Sequence, residues 1–476
     1  MHGRAPWLDA YEFQPESPER VNPAGWPLAL VFWPLERLLG PVLAWNLLGL
    51  ALYVVAGGVT ALWLRALGVS VGAAIVGGLA FAIAPYRVAQ STEHLLGPLS
   101  IMLPAALWAW ERERWWLATL ALASIPLSGQ LHLALGAVPF FVAYALVRGR
   151  GRRVGRLQRP ERAPIWWALG AAGVAVVVGL VVRQVTIVGS VSQGGRSLDA
   201  VDRWSAGPLD LLWRGERGEL EQFAFLGWLT PLLALAGLVL LARSRRFGLA
   251  AVLGLGALVP VVLALGTNTP LYEPLWHALP PLRFPRVPER LLPVACLALA
   301  ALAAVAITRV VAVRRSGAWH LGVSAVAVAL VVADLAVFPY ASSAADPGNR
   351  AYAALPVGRI LELPVFRPEI HYGSVYQYYA LQAARERPGG YSTVADLVAD
   401  RTMRALRPLN NGDWGHGRGA LVRRLGVRAV LVHAGLFVEN REVDGTRAAA
   451  ERGLRLAGYR LAVRDGPVSL WLSGRS

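Results

Sequence analysis

Apolar stretches of spanning or near-spanning length recur along the first 340 residues, separated by short links that carry Arg, and this pattern constrains the fold more than any other feature. Pro41 to Leu64 is the first long enough to cross about 30 Å of hydrocarbon. Others follow at residues 70–85, 96–110, 115–129, 131–147, 164–188, 224–242, 247–266, 290–312 and 319–340, making ten, with several of the early ones short. Only 16% of the 476 residues are charged and the mean hydropathy is +0.45. Soluble domains carry nearer a quarter charged residues, so the chain reads as a polytopic membrane protein.

The formal charge of +17 does not point to nucleic acid, because much of it sits in short links between apolar segments. Residues 148–162 (RGRGRRVGRLQRPER) hold seven Arg against one Glu, residues 243–246 hold three Arg, and Arg314 and Arg315 close a further segment. Positive links stay in the cytoplasm. Alternation then puts residues 86–97, 189–223, 267–289 and everything after Tyr340 outside, in the plasma membrane of a multi-pass protein. The same alternation places the N-terminus outside with nothing ahead of the first span to carry it there, so the chain reads as one lacking an upstream helix. The start, MHGRAPWLDAYEFQPESPER, has no apolar core of a signal peptide. The single cysteine, Cys296, allows neither an intramolecular disulfide nor a Cys-His metal framework.

Leu28 to Leu39 is too short to span and has Glu36 and Arg37 on one side and Leu, Phe and Trp on the other, as expected of an interfacial helix. After Ala341 the composition changes. RILELPVF, RAVLVHAGLF, YRLAVRD and VSLWLS read as strands, with helical stretches at Val375–Arg387, Ala420–Leu425 and Thr446–Leu454. The expected architecture is therefore an all-α polytopic membrane domain of about ten transmembrane helices, residues 1–340 with their external loops, followed by a small extracytoplasmic α/β domain, residues 341–476. Nineteen Arg against twelve Asp plus Glu give that domain about +7, which suits membrane lipid headgroups or glycan phosphates as well as a plain solvated surface.

The polar residues that look out of place all fall on the expected external side: Asp9, Glu12, Glu16 and Glu19; Arg87, Glu93 and His94 in the loop Tyr86–His94; Gln130 and His132; and Arg283, Arg286, Glu289 and Arg290. Ionisable groups at such points are expensive unless they face a cavity or the interface. Carboxylates near several Arg at a membrane surface suit a chemistry in which an Arg holds a phosphate while a carboxylate deprotonates a hydroxyl. Solvated loop charges, an interfacial Glu93–His94 pair and a helix-start anchor at Pro285–Pro288 are the plain alternatives. Arg183 and Asp334, near span ends, read as snorkelling or paired structural residues. A metal held by Glu93, His94 and His132 has no spacing signature behind it. There is no Walker-type loop, HExxH or GxSxG motif.

Asp9 to Pro15 (DAYEFQP), followed by an interfacial helix, is similar to the D-A-N-x-F-x-P stretch in the first external loop of the bacterial polytopic GT-C membrane glycosyltransferases. LAFAIAPYRVAQSTEHLLGPLSIMLPAALWAWER looks like their next unit, a span ending in FAxAPYR, a loop with a His and a span beginning near a Pro. FPRVPERLLP resembles their F-R-x-P-x-R element, and ILELPV, RPGGYST and LGVRAVLVH look like pieces of their external C-terminal domain. The resemblance implies inverting transfer of a sugar from a polyprenyl-phosphate-linked donor to a glycan, lipid or protein acceptor of the cell envelope. It implies Asp9 or Glu93 as the catalytic acid, unless that acid lies in a Gly-Asp element upstream of Met1. It implies Arg87, His94, His132, Arg283, Arg286 and Arg290 as substrate-binding residues. No cofactor is expected, with a divalent metal left open. A flippase for lipid-linked sugars and a non-catalytic scaffold of envelope assembly are the rival readings, although no internal repeat supports the first.

Overall fold

The structure is a computed structural model that describes residues 7–18, 20–151, 163–215, 222–284, 287–314, 316–337, 348–438 and 440–474; the side chains of residues 93, 150, 151, 163 and 164 lie outside the described part. Most of the Arg-rich link 148–162 also falls outside it. The chain forms two compact units, one made of residues 23–182 and 195–342, the other of residues 1–22, 183–194 and 343–476.

The first unit is helical. In chain order it runs α1 (Ala29–Leu39), α2 (Pro41–Ala66), α3 (Val71–Ala82), α4 (Pro85–Glu93), α5 (Leu96–Leu99), α6 (Met102–Glu111), α7 (Trp115–Leu127), α8 (Leu131–Gly151), α9 (Ala163–Thr186), α10 (Leu198–Arg203), α11 (Leu229–Arg243), α12 (Phe247–Ala264), α13 (Tyr272–Ala278), α14 (Leu292–Val311) and α15 (Gly317–Leu335). Among the described residues six helices are long and apolar enough to cross a membrane, or seven if the bent pair α3–α4 is one span. Three of the ten expected segments take another form: 96–110 is split between α5 and α6, while α7 and α11 are short apolar helices.

α14 is the axis of this unit, with 83% of its most apolar window buried, and α3, α11 and α12 pack on it. Its sequence LPVACLALAALAAVA explains why. Small side chains let backbones approach closely where lipid tails leave no hydrophobic force to bring helices together. On α11, a Cβ at Gly237 would lie 1.9 Å from the carbonyl oxygen of Leu302. At the α2–α3 crossing, a Cβ at Gly78 would lie 2.3 Å from the carbonyl oxygen of Gly57.

The stretch Tyr86–His94, expected as a loop, is mostly helix. Pro85 has no N–H and ends α3, but its fixed φ suits the first position of a new helix, so α4 starts there at 43° to α3. Residues 224–228, expected to open a span, are not helical; Gly227 sits at φ 90°, and α11 begins two residues later.

The second unit is built on a four-stranded sheet of order β1-β2-β4-β3, with β1 (Arg359–Leu363), β2 (Val427–His433), β3 (Tyr459–Asp465) and β4 (Val468–Ser473). β1 pairs parallel with β2, and β2–β4 and β4–β3 are antiparallel. All four strands match the expected segments. β2 is buried except at Arg428, as its nearly unbroken apolar run requires of a central strand, and β3 is a largely exposed edge. The parallel pair needs a long crossover, which α17 (Ser374–Ala380), α18 (Leu397–Leu406) and α19 (Arg418–Arg424) supply; α16 (Arg350–Ala353) precedes β1 and α20 (Arg447–Leu456) precedes β3. Helix α17 ends at Ala380, short of the expected 375–387, and Arg387 lies beyond it in a buried ion pair with Glu362.

Two distant pieces of chain complete this unit. Residues 7–22 fold back on themselves through a Leu8–Val21 bridge and clasp the Arg387–Tyr391 segment: the Arg387 N–H donates to the Tyr11 carbonyl at 2.7 Å, and the Gln14 N–H donates to the Arg387 carbonyl at 2.9 Å. Phe13 is fully buried against Ala395 and Ala399. Residues 183–194 join through the Val191 N–H to the Ala395 carbonyl at 3.0 Å and an isolated Ser190–Asp396 bridge. DAYEFQP and RPGGYST, two stretches that carry the family resemblance, are thus in direct contact.

Candidate functional site

In the helical unit, the residue that caps the C-terminal end of α4 and the 3-10 turn Pro288–Leu291 just before α14 bring two expected residues together. His94 Nε2 lies 3.2 Å from Arg290 Nη2, both side chains being part-buried. Glu289, beside Arg290, is fully buried and close enough to Tyr272 to help burial push that phenol up to about 12. A guanidinium next to an imidazole offers N–H donors in the arrangement that a phosphate accepts. Glu93 is the last residue of α4, directly before His94 in the chain.

The other expected binding residues of this unit have mostly structural partners. Arg87 is 1% exposed. Its Nη1 donates to the Ala82 carbonyl at 2.7 Å, its Nε donates to Ser100 Oγ at 2.9 Å, and it lies over the rings of Tyr53 and Phe81. It therefore closes the break between α3 and α4 by satisfying a carbonyl that the helix end leaves open. Arg283 donates from Nε to the Trp276 carbonyl at 3.2 Å and from Nη2 to the His277 carbonyl at 2.8 Å, with its guanidinium over Trp276, and so caps α13. His132 is half-buried in the first turn of α8. Arg286 lies outside the described residues. Among the described residues no three His, Cys, Asp or Glu side chains converge as metal ligands, and the side chain of Glu93 lies outside the described part.

In the sheet unit, Asp9 and Glu12 share one guanidinium. Asp9 Oδ1 accepts from the N–H groups of Tyr11 (3.2 Å) and Glu12 (3.1 Å), and Oδ2 accepts from Arg20 Nη1 at 3.0 Å. Glu12 Oε2 is 3.7 Å from the same Nη1. Glu12 Oε1 accepts from Gln377 Nε2 at 2.7 Å and from the Tyr391 N–H at 3.3 Å. Burial, and after it the charge of Asp9, pushes the Glu12 carboxyl up to about 7. Both oxygens of Asp9 thus shape the turn, while Glu12 is the acid poised near neutrality. In the sequence Glu12 stands only as one of four N-terminal acids. The fourth residue of DAYE is a visible signal, but its burial depends on Gly390, where a Cβ would lie 2.7 Å from the Glu12 carboxyl carbon.

A second buried network holds the clasp. Arg387 Nη1 donates to both oxygens of Glu362 at 2.8 and 3.1 Å and to the Tyr376 carbonyl at 2.8 Å. Tyr352 Oη donates to Glu362 Oε1 at 2.7 Å and lies 3.0 Å from His433 Nε2. Burial pulls His433 down to about 3, with Arg387 adding to the effect, so its imidazole is neutral. Since the Tyr352 proton is given to Glu362, the neutral His433 has its N–H at Nε2.

No protein-family model matches the sequence, and no curated protein matches it. Solved structures do. The Archaeoglobus fulgidus oligosaccharyltransferase tethered with an acceptor peptide containing the NVT sequon via a disulfide bond aligns with a TM-score of 0.50 at 11% identity, over 94% of this chain and 65% of that one. The apo form of the same enzyme gives 0.49 at 11% identity, over 94% and 66%. Its complex with an inhibitory peptide and a dolichol-phosphate gives 0.48 at 11% identity, over 100% and 68%. The chain spans about two thirds of the length of these structures. Over 94% of its length the chain shares the fold of the archaeal oligosaccharyltransferase.

Proposed function

We propose that the chain is an integral membrane glycosyltransferase that moves a sugar from a polyprenyl-phosphate-linked donor to a cell-envelope acceptor on the external face. The fold shared with an oligosaccharyltransferase carries this reading. In it the protein spans the plasma membrane several times, its sheet unit lies outside the cytoplasm, and membrane lipids surround the helical unit. Arg290 with His94 holds the donor phosphate, and Arg286 contributes a further cation. Glu93, next to His94 in the chain, is the first candidate for the acid that acts on the acceptor. Asp9 comes second because its carboxylate already serves the turn.

The test is sugar transfer from radiolabelled polyprenyl-phosphate sugars in membranes carrying the full chain. Transfer should fall at least about tenfold in Glu93→Gln, as expected of a lost acid-base group. Arg290→Ala and Arg286→Ala should raise the donor requirement without lowering the amount of folded protein. Arg87→Ala, in contrast, should lose the protein itself. No transfer by wild type would sink the enzyme reading. The engagement of Asp9 and Arg87 in structural contacts favours one other role, a non-catalytic scaffold of envelope assembly, and that role would then take its place.

A further inference from the structure

Helix α11 is too short for a membrane. Its 15 residues rise about 22 Å, against about 30 Å of hydrocarbon. Arg243, Arg245 and Arg246 mark its C-terminal end as the headgroup boundary on one side, so its first turn, at Leu229, stops about 8 Å short of the other boundary. The end of α15 is at the same level, because Asp334 caps that first turn. A bilayer can thin around a short helix, or the protein itself can supply the missing apolar height.

Non-helical backbone survives at membrane depth only where protein satisfies its polar groups, and at this end of α11 it does. The N–H groups of Trp228, Leu229 and Thr230 donate to the Asp334 carboxylate. Arg214 Nη2 donates to the carbonyls of Ala333 and Asp334, which the end of α15 leaves open. The Arg214 guanidinium lies 4.9 Å from the centre of the Trp228 ring, and these contacts offset the cost of a charge so near the hydrocarbon. Trp228 Nε1 donates to the Leu212 carbonyl at 2.9 Å, and Asp210 Oδ2 accepts from the Gly207 N–H at 2.7 Å. Phe223, Ala224, Phe225 and Leu226, the irregular stretch just before α11, are buried.

The surface outside these contacts is apolar. In the turn formed by residues 208–213, Leu209 is 63% exposed, Leu212 60% and Trp213 49%. Trp228, to which the turn is bonded, is half exposed and heads a stripe with Leu232, Leu235 and Val239 at i, i+4, i+7 and i+11, all exposed. Acyl chains are the partner that fits. The stripe belongs to a helix read as a span, and the neighbouring α15 has only 17% of its most apolar window buried, so the apolar surface runs on along the spans instead of ending in the polar rim that surrounds a protein interface. We infer that residues 208–213, part of the expected external loop 189–223, dip into the bilayer and stand on top of α11, with Leu209, Leu212 and Trp213 among the lipid chains. The inference rests on the membrane-spanning reading of the helical unit and is independent of sugar transfer.

The test is the depth of nitroxide labels on the full chain in phosphatidylcholine vesicles. In a Cys296→Ala background, Leu209→Cys, Leu212→Cys, Leu232→Cys and Gly435→Cys are labelled singly. Power-saturation EPR then compares collisions with oxygen, which concentrates in hydrocarbon, and with a water-soluble nickel chelate. Oxygen should dominate at positions 209 and 212, as it does at position 232 on α11, and nickel should dominate at position 435 in the sheet unit. Trp213→Cys takes the place of either loop variant that lowers the amount of folded protein. Nickel dominating at 209 and 212 while oxygen dominates at 232 overturns the inference and means that the bilayer thins around α11 instead. Low collision rates with both reagents at 209 and 212 also overturn it, since protein, such as a second copy of the chain, then covers the turn. Nickel dominating at 232 as well removes the membrane-spanning reading of α11 together with the inference.

Discussion

Glu12 shows how a single residue can couple a turn to pH. Its ordinary value is 4.5 and burial raises it to about 7, so the folded unit holds this proton more tightly than the unfolded chain does. The stability it contributes is complete below about 4.5, declines as pH rises, and is gone above about 7. The difference is on the order of 3 kcal/mol. Melting temperatures of wild type and Glu12→Gln should therefore diverge between those pH values, the variant keeping its stability at neutral pH while wild type loses it. Parallel pH profiles would show that Glu12 is not buried as described. The same scale explains why Asp9 is a poorer catalytic candidate in the structure than in the sequence. An Asp three residues ahead of a Glu gives no hint that its two oxygens will be taken by two backbone N–H groups and Arg20.

Elements here are tied at their ends. Asp334, near the end of α15, accepts from the N–H groups of Trp228 (2.7 Å), Leu229 (3.0 Å) and Thr230 (2.9 Å) and from Thr230 Oγ1 (2.9 Å). One carboxylate thereby caps the first turn of α11, where a negative charge also suits the helix dipole. Gly227 is required beside it, since a Cβ there would stand 2.5 Å from Asp334 Oδ2. Asp334→Ala should destabilise the helical unit by about 2 kcal/mol, seen as a lower melting temperature in detergent; an unchanged melt would mean that another group caps α11. The sequence reading of Asp334 as a paired structural residue agrees with this, but its partners, 104 to 106 residues earlier, were not legible. Arg87 followed the same pattern. Its position after FAIAP marked it as special, and only the helix break at Pro85 made it a staple.

For the molecule as a whole, the Arg distribution makes a topological prediction. In a Cys296→Ala background, Gly435→Cys in the sheet unit should react with a membrane-impermeant maleimide in intact cells, whereas Ser244→Cys in the α11–α12 link should react only after permeabilisation. The opposite pattern would invert the proposed topology and take the sheet unit away from the external face.

The sequence by itself determined that this chain is a helical membrane protein with a small α/β unit, because apolar length and strand alternation are local properties that neighbouring residues enforce on one another. It also located His94 and Arg290, the pair that meets in the helical unit. What only the tertiary structure decided was the company each charge keeps. Residues 7–22 and 183–194 join the C-terminal sheet across hundreds of positions, Asp9 and Arg87 are taken into structural hydrogen bonds, and Glu12 is buried. Hydrogen bonding and desolvation depend on distances of a few ångströms between segments that no sequence spacing encodes.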